Sequence, residues 1–332
     1  VEPPEDDEGS DEDKPDPNEL ARDLEKLGPT YVKLGQVLSS QLNVLSKPYT
    51  QALTRLQDDV ERFPFEEVKR IIERELGQSV DEAYAEFNPE PMAAASLSQV
   101  HRARTHSGAE VAVKVQRPNI WPTINEQLNA MEPIASLLDR VYDHRYEFAE
   151  LLERTRASLM EELDFRLELQ SLERIGTTLE RYERVRVPKA YRELSSRRVL
   201  TMEYMEARKL STLTDEDKRS FKAASLADET FKGYLDMILV DGHFQADPHP
   251  GNLRITDQGQ VIILDMGMIG RVPPRMRDRL IQLLLNIVEG RGEQAADIAI
   301  RLGDPRPDFQ HSDFKHAVAD LVMSHRNQGL ET

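Results

Sequence analysis

The chain has 332 residues, a formal net charge of −17 and no cysteine. Its length can build one large domain or two lobes with a proper core. The lack of Cys excludes a disulfide scaffold, a zinc–thiolate or iron–sulfur centre and a cysteine nucleophile, and the acid surplus excludes a reader of phosphate backbones, so no nucleic-acid partner is expected. The longest apolar stretch, Leu280 to Val288, is interrupted by Gln282 and Asn286 and falls far short of the roughly 20 residues that span a bilayer. The acidic N-terminus reads as neither a signal nor a transit peptide, so a soluble, cytoplasmic protein is expected. Its 12 Lys against 31 Arg, with surplus carboxylate, suit a cytoplasm rich in screening salt or an Arg-favouring genome.

Residues 1–18, VEPPEDDEGSDEDKPDPN, read as an acidic disordered tail. A helical extension over 19–86 follows. Leu20, Leu24 and Leu27 recur at helical spacing up to Gly28-Pro29, and Pro29 opens a second helix with Leu34, Val37, Leu38 and Leu42. Ser46 can cap a third helix with Pro48 in its first turn, and a fourth runs from about Pro64 to Leu76 and stops at Gly77. The pattern changes at about Phe87. Two or three strands are predicted from Ala93 to Gln116, turning at His106-Ser107-Gly108. Val111, Val113 and Val115 face a core there, while Lys114 faces the other way beside the small Ala112. Helices are predicted at roughly 123–142 and 147–182, a strand at Arg198–Tyr204 and a helix over 226–243. Short strands at Leu253–Thr256 and Val261–Leu264 flank the turn Asp257-Gln258-Gly259, and helix follows from Pro273. An antiparallel sheet followed by a helical half is an α+β, two-lobed plan, with lobes at 87–206 and 207–332.

The segment Asp247-Pro248-His249-Pro250-Gly251-Asn252, followed by Ile263-Leu264-Asp265-Met266-Gly267, carries the chemistry. An Asp is followed by an Asn five positions on and by a second Asp eighteen positions after the first, at the end of an apolar strand. Phosphoryl transfer needs this set: one carboxylate positions the attacking hydroxyl, while a neutral oxygen and a second carboxylate hold Mg²⁺ on nucleotide phosphates. Hard oxygen donors without His or Cys suit Mg²⁺ or Mn²⁺ and not zinc. Two turns with capping Asp and Asn are the plain structural alternative. Lys114 can supply a cation to the α- and β-phosphates if a carboxylate holds it; Asp164 and Glu168, four apart in EELDFRLE, share a helix face and are candidates between which spacing does not choose. The small residues Ala93, Ala94, Ala95 and Ser96 stand where a phosphate-covering loop belongs, stiffer than a glycine loop. Lys33 and Gln36 share a helix face around Gly35, which costs its helix about 0.8–1 kcal/mol against Ala and suggests close packing.

These stretches resemble the UbiB-like (ABC1/ADCK-type) atypical kinase family, which supports isoprenoid quinone metabolism. The matching segments are LGPTYVKLGQVLSSQ at 27–41, AAASLSQVHRA at 93–103, VAVKVQRP at 111–118, EELDF at 161–165, FQADPHPGN at 244–252 and LDMG at 264–267, in family order. The resemblance implies a two-lobed, atypical protein-kinase-like fold with an antiparallel-sheet N-lobe, a helical C-lobe and an N-terminal helical extension. It implies that Lys114 is the phosphate-binding lysine, Glu168 the helix glutamate that pairs with it, Asp247 the catalytic-loop aspartate, and Asn252 and Asp265 the metal ligands. Glu203 and Met205 fall where the family's hinge meets adenine. Lys33 and Gln36 match its KxGQ motif, and Glu162 and Asp164 its ExD motif; these four are implied to meet as a gate that closes the peptide groove.

There are departures from ordinary protein kinases. Gln245-Ala246 replaces the His-Arg before the catalytic Asp, and Met266 replaces the Phe of DFG. No APE-like motif follows Gly267; Pro273-Pro274 opens a helix instead. Ser171 stands where many family members carry Asn. The family's C-terminal membrane-spanning helices are not found, which reads as a soluble or truncated member.

The expected function is therefore an atypical kinase or ATPase using ATP or ADP with Mg²⁺. Water or a prenylated quinone precursor would be the acceptor, with peripheral attachment to membrane lipid as the family implies. A nucleotide-gated scaffold of a membrane-bound biosynthetic protein complex is the non-enzymatic alternative. A small-molecule phosphotransferase of the aminoglycoside-kinase type is a third, because DPHPGN also resembles that group's catalytic loop.

Overall fold

A computed structural model describes residues 16–28, 30–32, 34–35, 47–53, 62–141, 147–246, 248, 251–303, 305 and 309–328. The chain forms two compact units: residues to Glu173 with Pro188–Met205, and Arg174–Val187 with the chain from Glu206 onward.

The first unit is organised by a mixed-length antiparallel sheet in the order β1 (Glu86–Phe87), β3 (Ser98–Arg104), β4 (Glu110–Gln116), β6 (Val199–Glu203), with β2 (Ala93–Ala94) also on β3. The β3–β4 turn is a short loop in which Gly108 takes a positive φ of 86°, a conformation that a side chain would resist. Val111, Val113 and Val115 are wholly buried on one face, against Val68, Ile72, Val80, Tyr84 and Val199. Burial of each contributes about 1.5–3 kcal/mol. The covering helices are Phe65–Leu76, ended by Gly77 in the left-handed region, and Val80–Ala83, opened by a reciprocal Ser79–Glu82 cap.

A second core in this unit joins Leu97 to the helices Ile120–Val141 and Phe148–Glu162 through Ile124, Leu128, Leu152 and Leu159. The buried Asp139 carboxylate accepts the N–H groups of Phe148 (2.6 Å) and Ala149 (3.0 Å), so the first of these helices caps the second. The helical extension has a small core of its own, made by Val32 and Leu53 with Leu20, Ala21 and Leu24. Its first helix, Pro17–Leu27, begins two residues inside the stretch read as tail, because the Asp16 side chain accepts the Asn18 N–H and Pro17 fits the first turn.

The helix expected over 147–182 is two helices, Phe148–Glu162 and Phe165–Leu179, separated at Leu163–Asp164. Two distant partners impose that break. Gln116 Nε2 donates to Leu163 O at 2.9 Å, and the Phe165 N–H donates to Arg197 O at 3.0 Å.

The second unit holds a four-stranded sheet, β5 (Val185–Arg186), β10 (Val261–Ile263), β9 (Leu253–Ile255) and β7 (Arg208–Lys209), and a two-stranded ribbon of β8 (His243–Gln245) with β11 (Ile269–Arg271). The expected 253–256 and 261–264 strands are present within a residue, turning at Gly259. Leu226, Ile255 and Val261 form the adjoining core. The helix expected over 226–243 runs as Ala223–Leu235 and continues as a π-helical turn over Asp236–Asp241, stopped by Gly242 at φ 71°. Gly270 admits the Phe244 ring, which would lie 2.3 Å from any Cβ there, so the β8–β11 ribbon depends on this glycine. The helices Pro274–Val288, Gly292–Leu302 and His311–Gln328 follow. Among the described residues, no helix is long and apolar enough to cross a membrane.

Candidate nucleotide site

Strand β4 presents Ala112, Lys114 and Gln116 on the face opposite its valines, as the alternation predicts. Lys114 Nζ lies 2.8 Å from Glu168 Oε2, in the first turn of the Phe165–Leu179 helix, and 5.0 Å from the centroid of the Phe165 ring. The pair is largely dry: the Lys114 side chain is 21% exposed and that of Glu168 6%. The structure therefore singles out Glu168 among the carboxylates of EELDFRLE as the partner of Lys114. Ala112 is buried opposite Met202 of β6.

Asp164 and Glu168 do not share a helix face, contrary to the spacing argument. Asp164 precedes the helix: its Oδ1 accepts the Arg166 N–H at 3.1 Å, and its carboxylate takes the Arg166 guanidinium, with Nε at 2.8 Å. That side-chain bond holds the Asp164 carboxyl below its ordinary pKa, against the opposing effect of partial burial. Glu162 is the last residue of the preceding helix. Lys33 and Gln36 lie outside the described residues.

The alanine loop is a tight turn between β2 and β3. Ala93 pairs with Val100 and Ala94 with Gln99, and the Ala95 N–H closes the turn on Ser98 O at 2.7 Å. Ser96 is buried. At the other edge of the sheet, the Glu203 N–H donates to Lys189 O at 2.8 Å and its Oε2 accepts the Lys189 N–H at 3.2 Å. These groups of Glu203 therefore serve the chain itself, while Met205 stands two residues beyond at the end of the unit.

In the second unit, β9 and β10 pair as Leu253 with Ile263, and the Leu264 N–H donates to Asn252 O at 3.0 Å. Asn252 and Asp265 thus leave the same end of one ribbon. Asp265 is exposed, and its Oδ1 accepts the Gly267 N–H at 2.8 Å. A Cβ at residue 267 would stand 3.1 Å from that oxygen, so glycine lets the backbone fold over the carboxylate. The β8–β11 ribbon frames the same turn from the other side, where the Ala246 N–H donates to Met268 O at 2.9 Å. Asp247 follows Ala246 and lies outside the described residues. Strands β8 and β11, which frame this turn, were missed by the sequence reading; three residues each are too few for an alternation to register.

Among the described residues, no group of three or more His, Cys, Asp or Glu side chains is placed to hold a metal by itself. One carboxylate and one amide oxygen instead fit Mg²⁺ that arrives with phosphate oxygens and water, as such sites commonly do.

The ABC1 atypical kinase-like domain matches residues 55–299. The chain belongs to this family. It is 34% identical over 300 residues to the chloroplastic protein named Activity of BC1 complex kinase 7 of Arabidopsis thaliana, covering 90% of this chain and 43% of that protein. It is 32% identical over 309 residues to an uncharacterized protein of Synechocystis, covering 89% of this chain and 76% of that one. The solved structure of Rv3197 with erythromycin, from Mycobacterium tuberculosis, superposes with a TM-score of 0.60 at 27% identity, over 88% of this chain and 74% of that one. This ABC1 chain spans less than half the length of the Arabidopsis relative. Its fold is kinase-like, and a kinase-like fold implies a nucleotide partner.

Proposed function

We propose that this ABC1 chain binds ATP or ADP with Mg²⁺ (or Mn²⁺) and hydrolyses or transfers the terminal phosphoryl group. In this reading Lys114, held by Glu168, neutralises the α- and β-phosphates under the Ala93–Ser96 turn, with Ala112 and Met205 bordering the base. Asn252 and Asp265 hold the metal, whose charge offsets that of the phosphates. Asp247 orients the attacking hydroxyl or water.

The Lys114–Glu168 pair carries this reading. A dry ion pair is a weak source of stability, because desolvation of both charges offsets most of their attraction. A merely structural pair in that position is replaceable by apolar side chains, whereas one aimed away from the valine core has a use as a phosphate cation. Family membership extends the proposal to isoprenoid quinone or lipid metabolism at a membrane surface, with a prenylated phenol or water as acceptor.

The test measures phosphate release by the purified protein and its Asp247→Asn variant, with and without anionic liposomes and a prenylated phenol. Release is expected to fall about 10²- to 10⁴-fold in the variant, the range of a lost general base, with Mg–ADP binding retained. Equal release from both proteins refutes the role of Asp247. Binding without release under every condition selects the nucleotide-gated scaffold.

A further inference from the structure

The nucleotide reading gives no part to Gln99, His101 and Arg117, the polar residues that follow the alanine turn and Lys114. In the first unit they belong to one connected arrangement. Arg117 Nε donates to Ser96 O at 3.2 Å, and its Nη2 approaches Ala95 O at 3.5 Å. The Arg117 N–H donates to Leu97 O at 2.8 Å. The same guanidinium lies 5.4 Å from the centroid of the Phe63 ring.

Phe63 precedes the Phe65–Leu76 helix, and its backbone is clamped from the sheet. Its N–H donates to Gln99 Oε1 and its carbonyl accepts from Gln99 Nε2, both at 3.2 Å. Gln99 Nε2 also lies 3.0 Å from His101 Nε2, and His101 Nδ1 lies 2.9 Å from Asn88 O. An amide NH₂ only donates, so His101 Nε2 accepts and the ring proton sits on Nδ1. Gln99 and His101 are wholly buried. Polar groups so placed must be fully paired, and here each orients the next.

The consequence for the turn follows from peptide planarity. In a trans peptide the carbonyl and the next N–H point in opposite directions. With the Ala95 and Ser96 carbonyls turned to Arg117, the N–H groups of Ser96 and Leu97 face away from it. A phosphate is recognised by backbone N–H groups, so the side on which this turn shows its donors decides whether it can serve one. Alanine, unlike glycine, does not settle that direction by special backbone freedom.

We propose that Arg117 is a positioning residue. It fixes the direction of the donors in the Ala93–Ser96 turn toward a nucleotide phosphate, and it ties that turn to Phe63, just ahead of the Phe65–Leu76 helix. The phosphate rests on the nucleotide reading above; the tether stands on the geometry alone.

The experiment compares the protein with Arg117→Met, Arg117→Lys and Phe63→Leu, by amide hydrogen exchange at Ala95 and by calorimetric titration with Mg–ADP. Loss of the forked, charge-assisted bonds is expected to speed Ala95 exchange and weaken Mg–ADP binding, each about tenfold, in Arg117→Met. Phe63→Leu is expected to move both in the same direction by less, and to add nothing in an Arg117→Met background. Arg117→Lys, which keeps the charge and reaches one carbonyl, is expected to recover part of both. A folded Arg117→Met protein with exchange and affinity each within about twofold of the parent overturns the proposal. Where Arg117→Met does not fold, Arg117→Lys decides: parental values for both readouts overturn the proposal. A parent protein that binds no Mg–ADP refutes the nucleotide reading, and the exchange measurements then decide the tether by themselves.

Discussion

Lys114 within β4 and Asp265 two residues beyond β10 are both charged side chains of a kinase-like chain, yet their surroundings are opposite. Lys114 is mostly buried and already neutralised by Glu168. Asp265 is exposed, and a single backbone N–H at Gly267 orients it. The cation of the proposed site is thus built in and dry, while the Asp265 carboxylate, proposed to hold the metal, faces water. Stability and ligand binding should therefore separate by site.

The first expected effect is on ligand binding. Asp265→Asn is expected to weaken Mg–ADP binding about a hundredfold, to leave metal-free ADP binding unchanged, and to leave the urea midpoint where it was. Titration with and without EDTA, beside an unfolding curve, checks it. A variant that unfolds early would break the contrast. Next comes Glu168→Ala, which strands a largely buried ammonium group and is expected to destabilise the fold by about 3–5 kcal/mol. Urea unfolding measures this, and an unshifted midpoint would mean that the pair is not formed in solution.

A smaller effect is expected from pH. Burial is the main influence on His101 and lowers its pKa from the ordinary 6.5, against the weaker opposing pulls of Asn88 O and Glu90. As pH falls below 6.5, the unfolded chain takes up a proton that the folded chain refuses. Stability should decline on acidification from that point, by at most about 1.4 kcal/mol per pH unit for one group. His101→Gln should flatten the slope between pH 6.5 and 5; an unchanged slope assigns it to other groups. The smallest effect is expected at the exposed Arg192–Glu173 pair, where Glu173→Ala should cost less than about 0.5 kcal/mol.

The orientation of Lys114 was legible because Val111, Val113 and Val115 declare the buried face of their strand. The β9–β10 hairpin was legible from its turn, with Gly259 at positive φ. Identification of Glu168 as the partner needed more than spacing. The helix breaks at Leu163–Asp164 because Gln116 and Arg197, far away in sequence, capture its backbone, and no local propensity reports such contacts. The frame around the Asn252–Asp265 turn was illegible for a different reason. Strands β8 and β11 cohere through the fit of the Phe244 ring over Gly270, which is a tertiary fact. Gln99 lies within β3 and Arg117 directly follows β4, but nothing local reports their partners at Phe63 and Ser96.

Asp164 already serves two masters, a helix end and the guanidinium of Arg166. A newcomer cation at that carboxylate would compete with the guanidinium for its oxygens. The net affinity is then a difference between two attractions, readily tipped by ionic strength, and Arg166 sets the threshold.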